Sequence, residues 1–156
     1  MLKVRVLSIG KDKERWLTDG CAHFVKLLSR YCAVELENLP SPRDSTSLPP
    51  EQITALEADR FRKRLGRGFV VALSDRGKAT DSSAFARLLQ RLQTESGGVV
   101  TFLIGGPYGL HPGLLKTADL VLSLSPLTFS HQLVRLVLLE QLYRGFATLH
   151  GTPYPK

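Results

Sequence analysis

Two segments of this 156-residue chain end in residues suited to holding a ligand. Phe102 to Leu110 reads FLIGGPYGL, and Leu120 to His131 reads LVLSLSPLTFSH. Each begins as an apolar run and stops abruptly in glycine, proline or hydroxyl residues. The pairing predicts two buried strands that deliver two loops to one edge of a sheet. In open α/β sheets, ligands lie beyond the carboxyl ends of such strands. Loops of glycine and proline there offer main-chain donors and acceptors with few side chains in the way.

Neither loop is a standard phosphate cradle. GGPYG lacks the GxGxxG order of a dinucleotide fingerprint and the GK[ST] ending of a P-loop. There is no GxSxG elbow, and Ser123, Ser125, Thr128 and Ser130 have no base placed by a motif, which argues against a serine hydrolase. His131 opens the final helix beside the hydroxyl-rich loop and His150 closes it. Either can take a proton or touch a phosphate; helix-end capping and solvation is the plain alternative. Arg135 lies one turn beyond His131 on an otherwise apolar helix and has no acid four residues away, which points to an RNA phosphate or substrate base. Arg144 has Glu140 at that spacing. Cys21 and Cys32 read as reduced, buried thiols. No second Cys/His pair completes a site around Cys21 and His23, so no metal is expected.

The elements that must position these residues alternate in period. Leu2 to Gly10 and Cys32 to Leu39 read as strands, and Leu17, Cys21, Phe24, Val25 and Leu28 mark one helical face between them. Residues 40–50 hold four prolines and read as a loop. Glu51 to Leu65 is helical with a basic C-terminal half, Arg60, Arg62, Lys63 and Arg64, which suits the helix dipole. Gly68 to Ser74 is a short strand, followed by a loop DRGKAT. Asp81 caps a helix whose face is Phe85, Leu88, Leu89 and Leu92. Val99 to Ile104 is the fourth strand, a short helix spans Pro112 to Ala118, and Leu120 to Leu124 is the fifth strand. The alternation predicts an α/β fold, a parallel-rich sheet flanked by helices, as one domain over residues 1–156. The final helix, about His131 to His150, is apolar around most of its circumference. One sheet covers only one side of a helix, so a homodimer is expected.

Composition narrows the partners. Apolar residues make up 43% and charged ones 22%, a globular balance. The net charge of +7 favours an anionic partner such as RNA, DNA or an acidic membrane surface. The excess is shared by both halves of the chain, so a nucleic-acid surface has to be built by folding rather than carried on a tail. No apolar run approaches the roughly 20 residues needed to cross a bilayer. The first residues do not make a signal peptide, so a cytoplasmic protein with no membrane partner is expected.

The blocks VALSDRGK, FLIGGPYGL, LSLSPLTFSHQLVRLVLLEQLYR and HGTPYPK resemble the RlmH family. These are large-subunit ribosomal RNA methyltransferases of the SPOUT superfamily. They use S-adenosylmethionine to methylate ring nitrogen 3 of a pseudouridine in 23S ribosomal RNA. The likeness runs the length of the chain and is strongest from Val70 onward. It implies a SPOUT-type α/β knot with a C-terminal trefoil knot, and a homodimer. Carried over position by position, it places S-adenosyl-L-methionine on Leu73, Gly105, Gly106, Ser123, Leu124, Ser125, Pro126, Leu127, Thr128 and Phe129. With His131 and Arg135, Tyr154 joins the catalytic candidates, because the resemblance puts the tail near an active site and an aromatic ring there can stack on an extruded base. A loose tail is the alternative for Tyr154. Two departures stand out: Tyr108 replaces the usual Glu after GGP, and the tail lacks the family's terminal His. The rival to an enzyme is a non-catalytic ribosome- or RNA-binding protein; cofactor binding separates the two.

Overall fold

The computed structural model describes residues 1–43 and 47–154. Five strands and five helices alternate along it: β1 (Leu2–Ile9), α1 (Arg15–Leu28), β2 (Cys32–Leu39), α2 (Pro50–Arg64), β3 (Phe69–Ala79), α3 (Ser82–Glu95), β4 (Val99–Ile104), α4 (Pro112–Thr117), β5 (Leu120–Ser123) and α5 (His131–Leu149). The strands form one sheet in the order β2-β1-β4-β3-β5, every neighbouring pair parallel. Parallel strands need crossover connections, and the helices supply them. Pro155 and Lys156 of the tail lie outside the described residues.

Both faces of the sheet are covered, which explains the near-continuous apolar strands. On one face Val4, Val6, Val71, Val100 and Phe102 meet Cys21, Leu28, Phe85, Leu89, Leu139 and Phe146 from α1, α3 and α5. On the other, Leu7, Ile9 and Leu103 meet Ala58 and Phe61 of α2 and Leu114 of α4. Both cysteines are buried free thiols, as expected, and burial pushes Cys32 up to about 12. The Asp81 carboxylate caps α3 by accepting from the Ala84 amide at 2.7 Å.

Two expectations need correction. DRGKAT is not a plain loop, because β3 runs on to Ala79. Leu73 and Lys78 both pair with Leu122, so Ser74 to Gly77 bulge out before the strand rejoins β5. Gly77 permits this: a Cβ there would stand 2.7 Å from the backbone of Leu122. The second correction concerns α5. Its apolar circumference is largely used within the chain, because α1 and α3 pack on its flanks while the sheet takes its base. Leu138 and Leu142 are fully buried core residues, leaving Leu133 and Val137 as the half-buried apolar positions of an outward stripe.

Candidate active site

The exits of β4 and β5 lie on either side of β3, and their loops wall a cleft of about 630 Å³. On the β4 side the chain turns sharply. Gly109 N donates to Gly106 O at 3.0 Å, closing a turn with Pro107 at its second position. Gly105 is obligatory here, since a Cβ would stand 2.5 Å from the Gly109 carbonyl carbon. The turn projects Tyr108, which lines the cleft and is 56% exposed.

On the β5 side the hydroxyls organise the loop. Ser123 Oγ donates to the Ser125 carbonyl at 3.0 Å, and Ser125 Oγ accepts from the Leu127 amide at 3.0 Å. Ser130 caps α5, its Oγ accepting from the Leu133 amide. His131 is thereby relieved of capping and lines the cleft half-buried. Burial lowers its proton affinity, which favours a neutral imidazole at neutral pH. The third wall is the bulge of β3, which brings Leu73, Ser74 and Asp75 into the lining.

Eight of the ten positions assigned to the cofactor line this cleft: Leu73, Gly105, Gly106, Leu124, Ser125, Leu127, Thr128 and Phe129. Ser123 and Pro126 do not; Ser123 is buried and braces the loop from behind. Of the catalytic candidates, only His131 is brought to the cleft.

Arg135 requires correction. It is 3% exposed, and its guanidinium forms an ion pair with Asp12 and donates to the carbonyls of Ile9 at 2.8 Å and Gly10 at 3.0 Å. The missing acid comes from a loop 123 residues away in sequence, beyond the reach of any helix spacing rule. A side chain so placed ties the end of β1 to α5 and presents nothing to a phosphate.

Tyr154 is not loose. Its ring meets Tyr143 edge-on with centroids 4.9 Å apart, and the Arg144 guanidinium lies over it at 4.7 Å. Burial, the Glu140 charge and a hydrogen bond to Glu140 raise its phenol above the usual value. These partners are on the second half of α5, whereas the cleft takes only His131 and Val134 from that helix. Tyr154 does not line the cleft of its own chain. Arg144 pairs with Glu140 at 2.7 Å as its spacing predicted, and His150 caps the helix end through Phe146 O at 2.9 Å.

One buried acid escaped the sequence reading. Glu57 on α2 is 3% exposed, and burial pushes its carboxyl up to about 7, against the opposing charge of Arg60. A Cβ on Gly106 would stand 2.7 Å from Glu57 Oε2, so the carboxyl sits directly against the glycine loop. The signal was present: Ile53, Glu57 and Phe61 recur every four residues on the buried face of α2, and an acid in such a stripe is exceptional.

Among the described residues neither Lys nor Arg lines the cleft, although the chain carries 21 of them. Main-chain groups, hydroxyls, one carboxylate and one imidazole fit a neutral or cationic ligand better than a phosphorylated one. The volume suits a small molecule. No group of three or more His, Cys, Asp or Glu that could hold a metal occurs among the described residues.

A parallel sheet whose strand exits wall a main-chain-rich cleft defines an α/β protein with a small-ligand site at the carboxyl edge. The family model described as "Predicted SPOUT methyltransferase" matches residues 2–155. The chain is 41% identical to ribosomal RNA large subunit methyltransferase H of Streptococcus equi subsp. zooepidemicus, covering 99% of this chain and all of that protein. It is 42% identical to the protein of the same name from Acetivibrio thermocellus, covering 98% and 99%. Among solved structures, a probable methylase family protein from Haemophilus influenzae superposes with a TM-score of 0.61 at 15% identity, over 98% of this chain and 72% of the other. The tRNA (m1G37) methyltransferase of Aquifex aeolicus gives 0.55 at 18% identity, over 99% and 74%. The chain belongs to the SPOUT methyltransferase family. The resemblance drawn from the loop blocks is borne out.

Proposed function

We propose that this protein methylates ring nitrogen 3 of a pseudouridine in 23S ribosomal RNA, using S-adenosylmethionine bound in the cleft between the β4 and β5 exits. The observation that carries the reading is the convergence of eight assigned positions on one cleft, in a chain 41% identical to a large-subunit ribosomal RNA methyltransferase. Bound S-adenosylmethionine supplies an electrophilic methyl carbon on a positively charged sulfur. The chain's part is to align the acceptor nitrogen with that carbon and to receive its proton. In that transfer the acceptor nitrogen would give up its proton, and the neutral imidazole of His131 on the cleft wall would receive it. Tyr108 and Leu127, the latter 70% exposed, line the cleft and are available to meet an entering base.

The reading includes a homodimer, a C-terminal trefoil knot and action in the cytoplasm, where ribosomes are assembled. Tyr154 does not line the cleft of its own chain, so in this reading its role in the reaction is played at the partner's cleft. No helix among the described residues is long and apolar enough to cross a membrane.

The test uses ribosomes from a strain lacking the gene, incubated with the protein and S-adenosylmethionine carrying a labelled methyl group. One labelled pseudouridine in 23S RNA is expected. His131→Gln should lower the rate about a hundredfold while sparing cofactor affinity. Tight ribosome binding with no cofactor binding in calorimetry would instead favour a non-catalytic RNA-binding protein.

A further inference from the structure

Glu57 is the only buried acid among the described residues, and its Oε1 has no hydrogen-bond partner among them. A carboxylate without a partner is costly to bury, so such a group is retained for a reason or held neutral. The carboxyl lies against Gly106, and Gly106 lines the cleft. A single layer of glycine backbone separates the acid from the site, with no side chain to insulate it. The cleft itself has no Lys or Arg among its described lining residues, so no fixed cation competes for that carboxyl from the ligand's side.

We propose that Glu57 is the buried counter-charge of the cleft, sharing a proton with the solvent while no cation is seated and ionised when a cationic ligand is held, so that binding S-adenosylmethionine expels that fraction of a proton. This rests on the cofactor reading above and goes beyond it by coupling binding to pH. Around Glu57, the facing charges are few. Arg60 shares its helix, and its Nη1 donates to the Pro40 carbonyl. Arg62 and His111 meet at the start of α4, beside Gly113. Asp75, Tyr108 and His131 stand on the cleft walls. Burial pushes the Glu57 carboxyl up to about 7, so it is poised to titrate near neutrality. As a general magnitude, a unit positive charge within roughly 7 Å of a carboxylate, at an effective dielectric of about 20, changes its proton affinity by tenfold or more.

The experiment is a calorimetric titration with S-adenosylmethionine at pH 7, in two buffers of different ionisation enthalpy, for the wild type and Glu57→Gln. The wild type should release roughly half a proton per site more than the variant. Its affinity should also rise about tenfold more than the variant's between pH 6 and pH 8. The cofactor's own amino group titrates equally in both and cancels in the difference. Binding by the wild type without proton release would overturn the inference and leave the cofactor reading intact. Release that persists undiminished in Glu57→Gln would trace the proton to another group and overturn it as well. No binding by the wild type would overturn the cofactor reading and this inference together. Should Glu57→Gln fail to fold, S-adenosylhomocysteine, which keeps the amino group and lacks the sulfonium charge, decides together with His131→Gln: more release with S-adenosylmethionine than with S-adenosylhomocysteine, in the wild type and in His131→Gln alike, supports Glu57, and equal release overturns it.

Discussion

Arg135 and Asp12 illustrate how a buried ion pair passes for a functional charge when only the local sequence is visible. The pair ties the loop after β1 to the second turn of α5, one turn beyond His131, which lines the cleft. Removing one partner strands the other in a dry environment, a loss of about 3–5 kcal/mol. Arg135→Ala should therefore lower the melting temperature sharply and weaken cofactor binding with it. Thermal denaturation together with a cofactor titration checks this. Normal stability with weakened RNA binding would return Arg135 to the RNA-contacting surface. Tyr154 is the opposite case, an aromatic in an apparently free tail that packs on Tyr143 and Arg144 instead.

At the scale of elements, the proposed homodimer rests on α5. It contacts α1, α3 and β4, and its deepest residues are fully buried. Its outward stripe begins apolar at Leu133 and Val137 and turns polar at Gln141 and Arg144. A partner should therefore bury the first half of the helix, the half adjoining the cleft. Val137→Glu is expected to convert a dimer to a monomer in sedimentation with little loss of melting temperature. Leu138→Glu, one residue on, places a charge in the core and should unfold the chain, at a cost of several kcal/mol. A Val137→Glu protein that sediments like the wild type would remove this stripe from the interface. The bulge of β3 belongs to the same scale: without Gly77 the strand cannot approach Leu122, and Asp75 would not reach the cleft.

For the whole molecule, the excess of positive charge is distributed over the surface. Several basic residues of α2 pair with acids, Arg62 with Asp59 and Arg64 with Glu37, yet both arginines are well exposed. Exposed pairs are worth little and exchange readily for phosphates. Binding to large ribosomal subunits should accordingly weaken with salt, with a log–log slope of about −3 if roughly four phosphates are contacted. Filter binding across a salt series measures the slope. A flat line would assign the charge to solubility alone.

The alternation of periods, the two abrupt strand exits and the capping residue Asp81 were legible because each is set by neighbours a few residues apart. Strand β4 and the apolar face of α3 fall where hydrophobic spacing put them. The loop blocks carried the family, and with it eight positions of the cleft. What spacing could not reach were contacts closed across the chain. The acid for Arg135 comes from the turn after β1, the packing of α5 from α1 and α3, and the carboxyl behind Gly106 from α2. Those pairings depend on strand order, β1 and β4 at the centre and β5 at an edge. Burial, and hence the raised proton affinity of Glu57, follows from which helix is laid over which exit, a property of the assembled layers that no single segment contains.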